Sequence, residues 1–151
     1  MSVQFIESHR ENAEVYTGAQ LCKQKSKELL AEINMPNGLL PMDDIQEVGY
    51  NRQTGFVWLT QKKPIQHKFT KISKNVSYDT HVTAFVENKR MKKVHGVKAK
   101  EILIWISLNE IYIDDTTPDK ITFGTPTGIS RSYPVTAFVE EDDKEDKTTA
   151  N

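Results

Sequence analysis

The stretch at residues 45–60, IQEVGYNRQTGFVWLT, decides the fold class. Its two ends, residues 45–50 and 56–60, are rich in β-branched and aromatic residues, which favour strands. Between them, residues 51–55 make a turn that ends in glycine, which is typical of a hairpin connection. The stretch therefore predicts two antiparallel strands.

Further β-rich runs extend this pattern towards the C-terminus, and they lie at residues 65–72, 76–86, 91–97, 102–113, 121–124 and 132–139. Polar turns separate several of them, and many short strands at this spacing are typical of a closed or nearly closed antiparallel sheet. We therefore predict an α+β protein whose body, residues 39–139, is mainly an antiparallel β-barrel-like sheet.

The chain upstream of the hairpin has the spacing of a helix. Small or apolar residues recur at intervals of three and four, namely Ala19, Cys22, Ser26, Leu29, Leu30 and Ile33. Possible capping boxes begin at Ser8 and Thr17, and the segment ends before Gly38. We predict an N-terminal helical segment over residues 8–34, which joins the sheet in one globular domain at residues 1–139.

Composition excludes several classes of protein. The chain has 151 residues and a single cysteine, so an intramolecular disulfide cannot form, and a reducing compartment is favoured. Its longest apolar run, residues 102–106, is far shorter than the about 20 residues of a membrane-spanning helix. No signal peptide is visible at the N-terminus. We expect a cytoplasmic monomer without a transmembrane segment. The alternative location is a peripheral position at the plasma membrane.

Charge is distributed unevenly along the chain. Residues 60–100 hold ten lysines, one arginine and two acids, a net charge of +9, which indicates an anionic partner or a solvated lysine face. Lysine suits anionic lipid headgroups, whereas base-specific recognition of nucleic acid favours arginine. Residues 140–151 carry six acids and two lysines, and we predict a disordered acidic tail there.

No residue pattern indicates a catalytic or metal site. His67, His81 and His95 lack the paired spacing of metal ligands, and the glycines are too dispersed for a phosphate loop. Residues 128–132, GISRS, miss the second glycine of a nucleophile elbow. The sequence therefore predicts no catalytic residue, no metal and no cofactor.

A set of short segments carries a family resemblance: NMPNGLLP at 34–41, EVGYN at 47–51, TGFVWL at 54–59, VSY at 76–78, TAFV at 83–86, GVKAKE at 96–101, LIW at 103–105, ITF at 121–123, TPTG at 125–128 and RSYPV at 131–135. In this order they closely resemble the plant family called domain of unknown function 538, from about residue 13 to residue 138. One departure is Lys89, where the family commonly has a hairpin glycine.

The resemblance implies a plant protein with a helical N-terminal segment, a β-barrel-like body and a link with stress responses. It also implies similarity to bactericidal permeability-increasing and related lipid-binding proteins, and binding or hydrolysis of chlorophyll. The family supplies no catalytic residues to transfer.

Our preferred hypothesis is a non-enzymatic module that binds an apolar or amphipathic small molecule, a lipid or a tetrapyrrole, with the lysines on its anionic part or on a membrane surface. The candidate charged residues are Lys62, Lys63, Lys92 and Lys93. The candidate wall residues are Trp58, Phe69, Phe85 and Trp105, although both tryptophans also suit a core position.

Two alternatives stay open. One is a weak ester hydrolase for a chlorophyll-type substrate, in which a histidine assists Ser130 or Ser132. The other is a protein-interaction domain in stress signalling, without an internal cavity.

Overall fold

The computed structural model of the chain describes residues 2–140, of Ser2 the backbone only. Its N-terminal part contains helix α1 (Ser2–His9), strand β1 (Glu14–Thr17) and helix α2 (Ala19–Glu32). The strands that follow are β2 (Ile45–Asn51), β3 (Phe56–Gln61), β4 (Ile65–Phe69), β5 (Lys74–Glu87), β6 (Arg90–Glu101), β7 (Ile104–Ser107), β8 (Glu110–Tyr112), β9 (Lys120–Gly124) and β10 (Ser130–Pro134). A 3-10 helix, Val135–Phe138, comes after β10.

The predicted acidic tail lies outside the described residues except for its first member. The backbone N–H of Glu140 donates a hydrogen bond to Asn37 Oδ1 at 2.7 Å, and its side chain forms an ion pair with Lys27. Glu140 therefore still belongs to the folded body.

The predicted hairpin at residues 45–60 is confirmed. β2 and β3 pair with Asn51 opposite Phe56, and the side chain of Asn51 holds the turn together. Its Oδ1 accepts hydrogen bonds from the backbone N–H groups of Gln53 and Thr54, at 3.0 and 3.2 Å. An asparagine that bonds to the backbone two or three residues ahead is a local turn device, which explains why this element was readable from sequence.

All strand pairs are antiparallel and form one ten-stranded sheet in the order β1-β2-β3-β5-β6-β8-β9-β10, with β4 beside β5 and β7 beside β6. The mainly antiparallel sheet preceded by a helical segment is thus confirmed. The barrel-like closure is not observed: β1 lies at one end of the order and β10 at the other, and within residues 2–140 no pairing joins them. The sheet stays open.

The long strands β5 and β6 bend the sheet. The first part of β5 pairs with β4, and its last part pairs with β3. The register between β5 and β6 shifts between Tyr78 and Phe85. Opposite this shift, Gly96 has a φ of 89°, and a Cβ there would lie 2.3 Å from the carbonyl oxygen of His81. Only glycine fits this bulge. The bulge makes the two ends of the β5–β6 pair run in different directions.

The N-terminal segment differs from the helical segment predicted over residues 8–34. Strand β1 interrupts it and pairs with β2, with Val15 opposite Gly49. The Ser8 hydroxyl donates to the Phe5 carbonyl at 2.9 Å rather than capping a new helix, and Gly18 stands at the N-cap of α2. An edge strand gains its hydrogen bonds from a distant partner, so tertiary pairing overrides the local helix signals here.

Most of the predicted helix stripe is buried against the sheet. Its buried members are Cys22, Ser26, Leu29, Leu30 and Ile33, whereas Ala19 is exposed because it begins the helix at the surface. Helix α2 packs on β2, and its apolar side chains enter the main core between the helix and the curled sheet.

A smaller apolar cluster lies on the other face of β3. Trp58 is fully buried there with Ile6 and Phe56. Its indole N–H donates a hydrogen bond to Glu47 Oε1 at 3.0 Å. The Glu47 carboxylate also accepts hydrogen bonds from both terminal nitrogens of Arg10, at 3.0 and 3.1 Å. The hydrogen bond from Arg10 lowers the pKa of Glu47, so the buried ring packs beside an ionised, fully bonded carboxylate.

The departure at Lys89 has a structural counterpart. Lys89 occupies the turn between β5 and β6 with a φ of 60°, the left-handed region that glycine adopts most easily. Its backbone N–H donates to the Ile33 carbonyl at 2.6 Å, and its ammonium pairs with Asp115 at 3.1 Å. These contacts hold a lysine in a conformation that normally favours glycine.

Candidate functional site

An apolar cavity of about 410 Å³ opens beside the hairpin of β6 and β7. Its wall comes from β5, β6, β7, β9 and β10 and from the C-terminal 3-10 helix. Representative members are Val76, Ala99, Ile106, Leu108, Phe123 and Phe138. Because side chains alternate across a strand, the lining positions 74 and 76, 99 and 101, 104 and 106, and 131 and 133 each share one face of the sheet. The curl of the sheet brings these faces together.

Three charged side chains lie in the cavity wall. Glu101 forms ion pairs with Lys74, at 2.6 Å, and with Arg131, at 3.3 Å. These residues come from β6, β5 and β10, so the carboxylate connects the neighbouring strands β5 and β6 with β10, which β8 and β9 separate from β6 in the sheet order. We call Lys74, Glu101 and Arg131 the charged triad. The hydrogen bond from Lys74 lowers the pKa of Glu101, while its desolvation acts in the opposite direction.

The triad predicts a pH-dependent contribution to stability. Because the pKa of Glu101 is lower in the folded protein, the contribution is complete above its unfolded pKa of about 4.3 and is lost as the pH falls through the folded value. We expect Glu101→Gln to lower the free energy of unfolding by about 1 kcal/mol at neutral pH. Urea unfolding of both proteins should show this gap closing below about pH 4.

The exposed Glu11 offers a matched control, because Glu11→Gln removes a carboxylate outside the triad. We expect that variant to unfold within about 0.5 kcal/mol of the wild type. A gap for Glu101→Gln that is the same at acidic and neutral pH would contradict the prediction.

The rim of the cavity is unusually apolar. Ile102 and Leu103 form the turn between β6 and β7 and are 90% and 87% exposed, and the neighbouring Ile104 is 61% exposed. Ile129, which directly precedes β10, is 59% exposed. All four also line the cavity. We call Ile102, Leu103 and Ile104 the apolar tip.

The structure does not bring the predicted aromatic wall residues together. Trp58 belongs to the core cluster on β3. Phe69 packs on the ring of Phe138, with a centroid distance of 4.7 Å, and so stands behind the cavity wall. Trp105 is half-buried and does not line the cavity, although its neighbours Ile104 and Ile106 do, and Lys100 Nζ lies 5.4 Å from its ring centroid. Their contact with a ligand stays a prediction.

The predicted lysines lie in two other clefts. Lys92, Lys93 and Phe85 line a cleft of about 420 Å³, where Lys93 Nζ lies 5.7 Å from the Phe85 ring centroid. Lys62 and Lys63 line a cleft of about 710 Å³ together with acidic residues Asp43 and Asp44. Lys92 also forms an ion pair with Glu87 at 2.9 Å. The structure therefore groups Phe85 with Lys92 and Lys93, and separates them from Lys62 and Lys63.

The sequence reasoning missed the charged triad and the apolar tip. The period-two pattern at positions 99, 101, 104 and 106 was a usable signal, because it marks residues on one sheet face. The apolar run at residues 102–106 excludes a membrane-spanning helix by its length, but its sequence does not show that residues 102–104 are exposed. Arg131 had no local signal, since its partner Glu101 lies thirty residues away and only the curled sheet joins them.

The hydrolase alternative needs a histidine beside Ser130 or Ser132. The hydroxyl of Ser132 shares a hydrogen bond with Thr122 at 2.8 Å. His81 and His9 bond instead to Thr60 and to residues of α1. No hydrogen bond between a histidine and Ser130 or Ser132 occurs within residues 2–140.

Two kinds of feature are absent from the described residues. None of their helices has the length and apolar character required to span a membrane. No group of three or more histidine, cysteine, aspartate or glutamate side chains within residues 2–140 is arranged to hold a metal ion.

Comparison with known proteins identifies the family. No curated protein and no solved structure matches the chain. A sequence profile of the family described as "Protein of unknown function, DUF538" matches residues 26–139, which cover the second half of α2, β2 to β10 and the 3-10 helix. The match includes both the strands of the cavity and the charged triad. The chain therefore belongs to the DUF538 family.

Proposed function

We propose that the protein is a non-enzymatic module that binds a small molecule with an apolar body and an anionic head in the cavity beside the β6–β7 hairpin. A fatty-acyl lipid and a carboxylated tetrapyrrole both have this chemistry. The observation that carries the proposal is the combination of an apolar cavity with the charged triad in its wall.

The cavity suits the apolar body of such a ligand. Its volume of about 410 Å³ lies within the roughly 300–1,000 Å³ of small-molecule sites. Aliphatic and aromatic side chains form most of its wall, and a few polar groups converge at one place. Such a division between an apolar lining and few polar groups is typical of binding sites for amphipathic molecules.

The charged triad suits the anionic head. Lys74 and Arg131 already hold one carboxylate, that of Glu101, inside the cavity wall. Arg131 is the more accessible cation, with 59% of its side chain exposed. A guanidinium binds a carboxylate or phosphate through two parallel hydrogen bonds, so a ligand head can share Arg131 with Glu101 or replace it.

Fluorescent ligands test the proposal directly. We expect cis-parinaric acid or protoporphyrin to bind the wild type, and the relative affinities will distinguish an acyl chain from a tetrapyrrole. Ala99→Phe should weaken binding at least about tenfold, because the new ring occupies the cavity. Ala31→Phe, on the exposed surface of α2, is the matched control and should bind normally.

The contact between Arg131 and the anionic head of the ligand is tested separately. Arg131→Gln should weaken binding of parinaric acid more than binding of its uncharged methyl ester. Equal affinity of the wild type and Ala99→Phe for every probe, or no binding by the wild type, would exclude the cavity as the site.

The biological setting is part of the same proposal. The plant origin, the link with stress responses and a cytoplasmic, monomeric state are expectations that come from the resemblance and the composition. Ligand extracted from plant tissue with the protein, and identified by native mass spectrometry, would test the setting and the ligand class together.

A further inference from the structure

We propose that the apolar tip is a membrane-docking element, which inserts into an anionic lipid surface and places the cavity mouth against the bilayer. The inference goes beyond ligand binding, because the docking surface is the outer side of the tip rather than the cavity.

The backbone of the tip is strained in a way that folding does not require. Glu101 pairs with Ile104, so Ile102 and Leu103 form a two-residue hairpin loop. Ile102 has a φ of 51°, whereas Leu103 is not in the positive region. A loop with positive φ at its first residue normally has glycine there, and a β-branched residue in this region is an outlier.

Isoleucine at this place adds nothing to the core, since it is almost completely exposed. Glycine would relieve the strain, and almost no buried apolar surface would be lost in the exchange. A strained, exposed isoleucine followed by two more apolar residues therefore indicates a contact outside the folded chain.

The surroundings of the tip favour a lipid surface as that contact. One register step behind the tip, Lys100 pairs with Trp105 across the hairpin, and Lys98 follows on the same strand. Tryptophan and lysine are enriched where protein enters a membrane, because the ring suits the headgroup region and the lysine stem extends to it. Arg131 and Lys74 also line the cavity, where both pair with Glu101, so the attraction to anionic headgroups rests on Lys98 and Lys100.

This surface differs from the membrane contact expected from charge alone. Lys92 is paired with Glu87, and Lys62 and Lys63 share a cleft with two aspartates. Nearby acids weaken the attraction of those lysines to anionic headgroups. The apolar tip lies close to Lys98 and Lys100 on the same hairpin. Neither of those two clefts is lined by a large exposed apolar residue.

Vesicle co-sedimentation tests the proposal. We expect the wild type to bind vesicles of phosphatidylcholine and phosphatidylserine, more weakly at high salt or without phosphatidylserine. The double variant Ile102→Gly/Leu103→Ser should bind at least about tenfold less, because its apolar insertion is lost. Its thermal midpoint should be equal to or above that of the wild type, because glycine relieves the turn.

Leu21→Gln is the matched control, since Leu21 is an exposed apolar residue on α2, far along the chain from the tip. It should bind vesicles like the wild type. Vesicle binding by the tip variant at the wild-type level would overturn the proposal. The proposal would also be overturned if the wild type did not bind vesicles but formed a dimer that the tip variant cannot form. The tip would then contact a second copy of the chain.

The two proposals fail separately. Ala99→Phe should lose parinaric acid but keep vesicle binding, because its tip is unchanged. The tip variant tests docking through vesicle binding alone, because Ile102 and Leu103 also line the cavity. Loss of vesicle binding in Ala99→Phe alone would contradict docking by the tip.

Discussion

Gly49→Ala is expected to lower the free energy of unfolding by about 3 kcal/mol, although it adds only one methyl group. Gly49 lies directly opposite Trp58 in the register of β2 and β3. A Cβ at this position would lie 2.0 Å from Cζ2 of the indole ring, and Trp58 is fully buried. The indole N–H also donates to Glu47, so the ring cannot move without breaking a partly buried hydrogen bond. Urea unfolding followed by tryptophan fluorescence measures the loss.

Gly124→Ala is the matched control, because Gly124 also lies in a strand but a Cβ there meets its nearest atom at 3.8 Å. We expect that variant to unfold within about 0.5 kcal/mol of the wild type. The double variant Gly49→Ala/Trp58→Leu should lose less than the two single losses combined, since the smaller side chain removes the overlap. Equal midpoints for Gly49→Ala and Gly124→Ala would disprove the close-contact explanation.

Phe138→Ala is expected to cost about 3–5 kcal/mol of stability and to enlarge the cavity at the same time. The ring is buried, and it packs against Phe69 and Phe123 at centroid distances of 4.7 and 5.1 Å. It also forms part of the cavity wall. Removing it therefore takes an anchor from the 3-10 helix and opens the cavity towards Phe69.

Thermal unfolding with and without parinaric acid checks both effects. A ligand that binds only the folded state raises stability by mass action, so the acid should restore part of the midpoint that Phe138→Ala loses. Val139→Ala, at the exposed neighbouring position, should change the midpoint little. A loss below about 1 kcal/mol would show that the aromatic cluster does not hold the C-terminal segment.

The elements that sequence predicted well are those with local causes. The hairpin at residues 45–60 depends on strand formers on both sides of a turn that Asn51 stabilises within three residues. The buried face of α2 follows from the spacing of Cys22, Ser26, Leu29 and Leu30. Both are decided by neighbours in the chain.

The candidate site shows the limit of that reasoning. The sequence predicts large aromatics as wall residues, but Trp58 serves the core because β2 has a glycine opposite it. Phe85 and its lysines lie in a different cleft from the charged triad. Size and charge along the chain do not say which face of a curled sheet a residue occupies.

By itself, the sequence determined the antiparallel strands, the helix that covers them, the family and the excess of lysine over residues 60–100. Only the tertiary structure decided that β1 joins the sheet edge, that the sheet remains open, and that Glu101 meets Arg131 beside an exposed apolar turn. The physical reason is range: turns and periodic faces arise from neighbouring residues, whereas the cavity arises from strands that pair and curl across the whole chain.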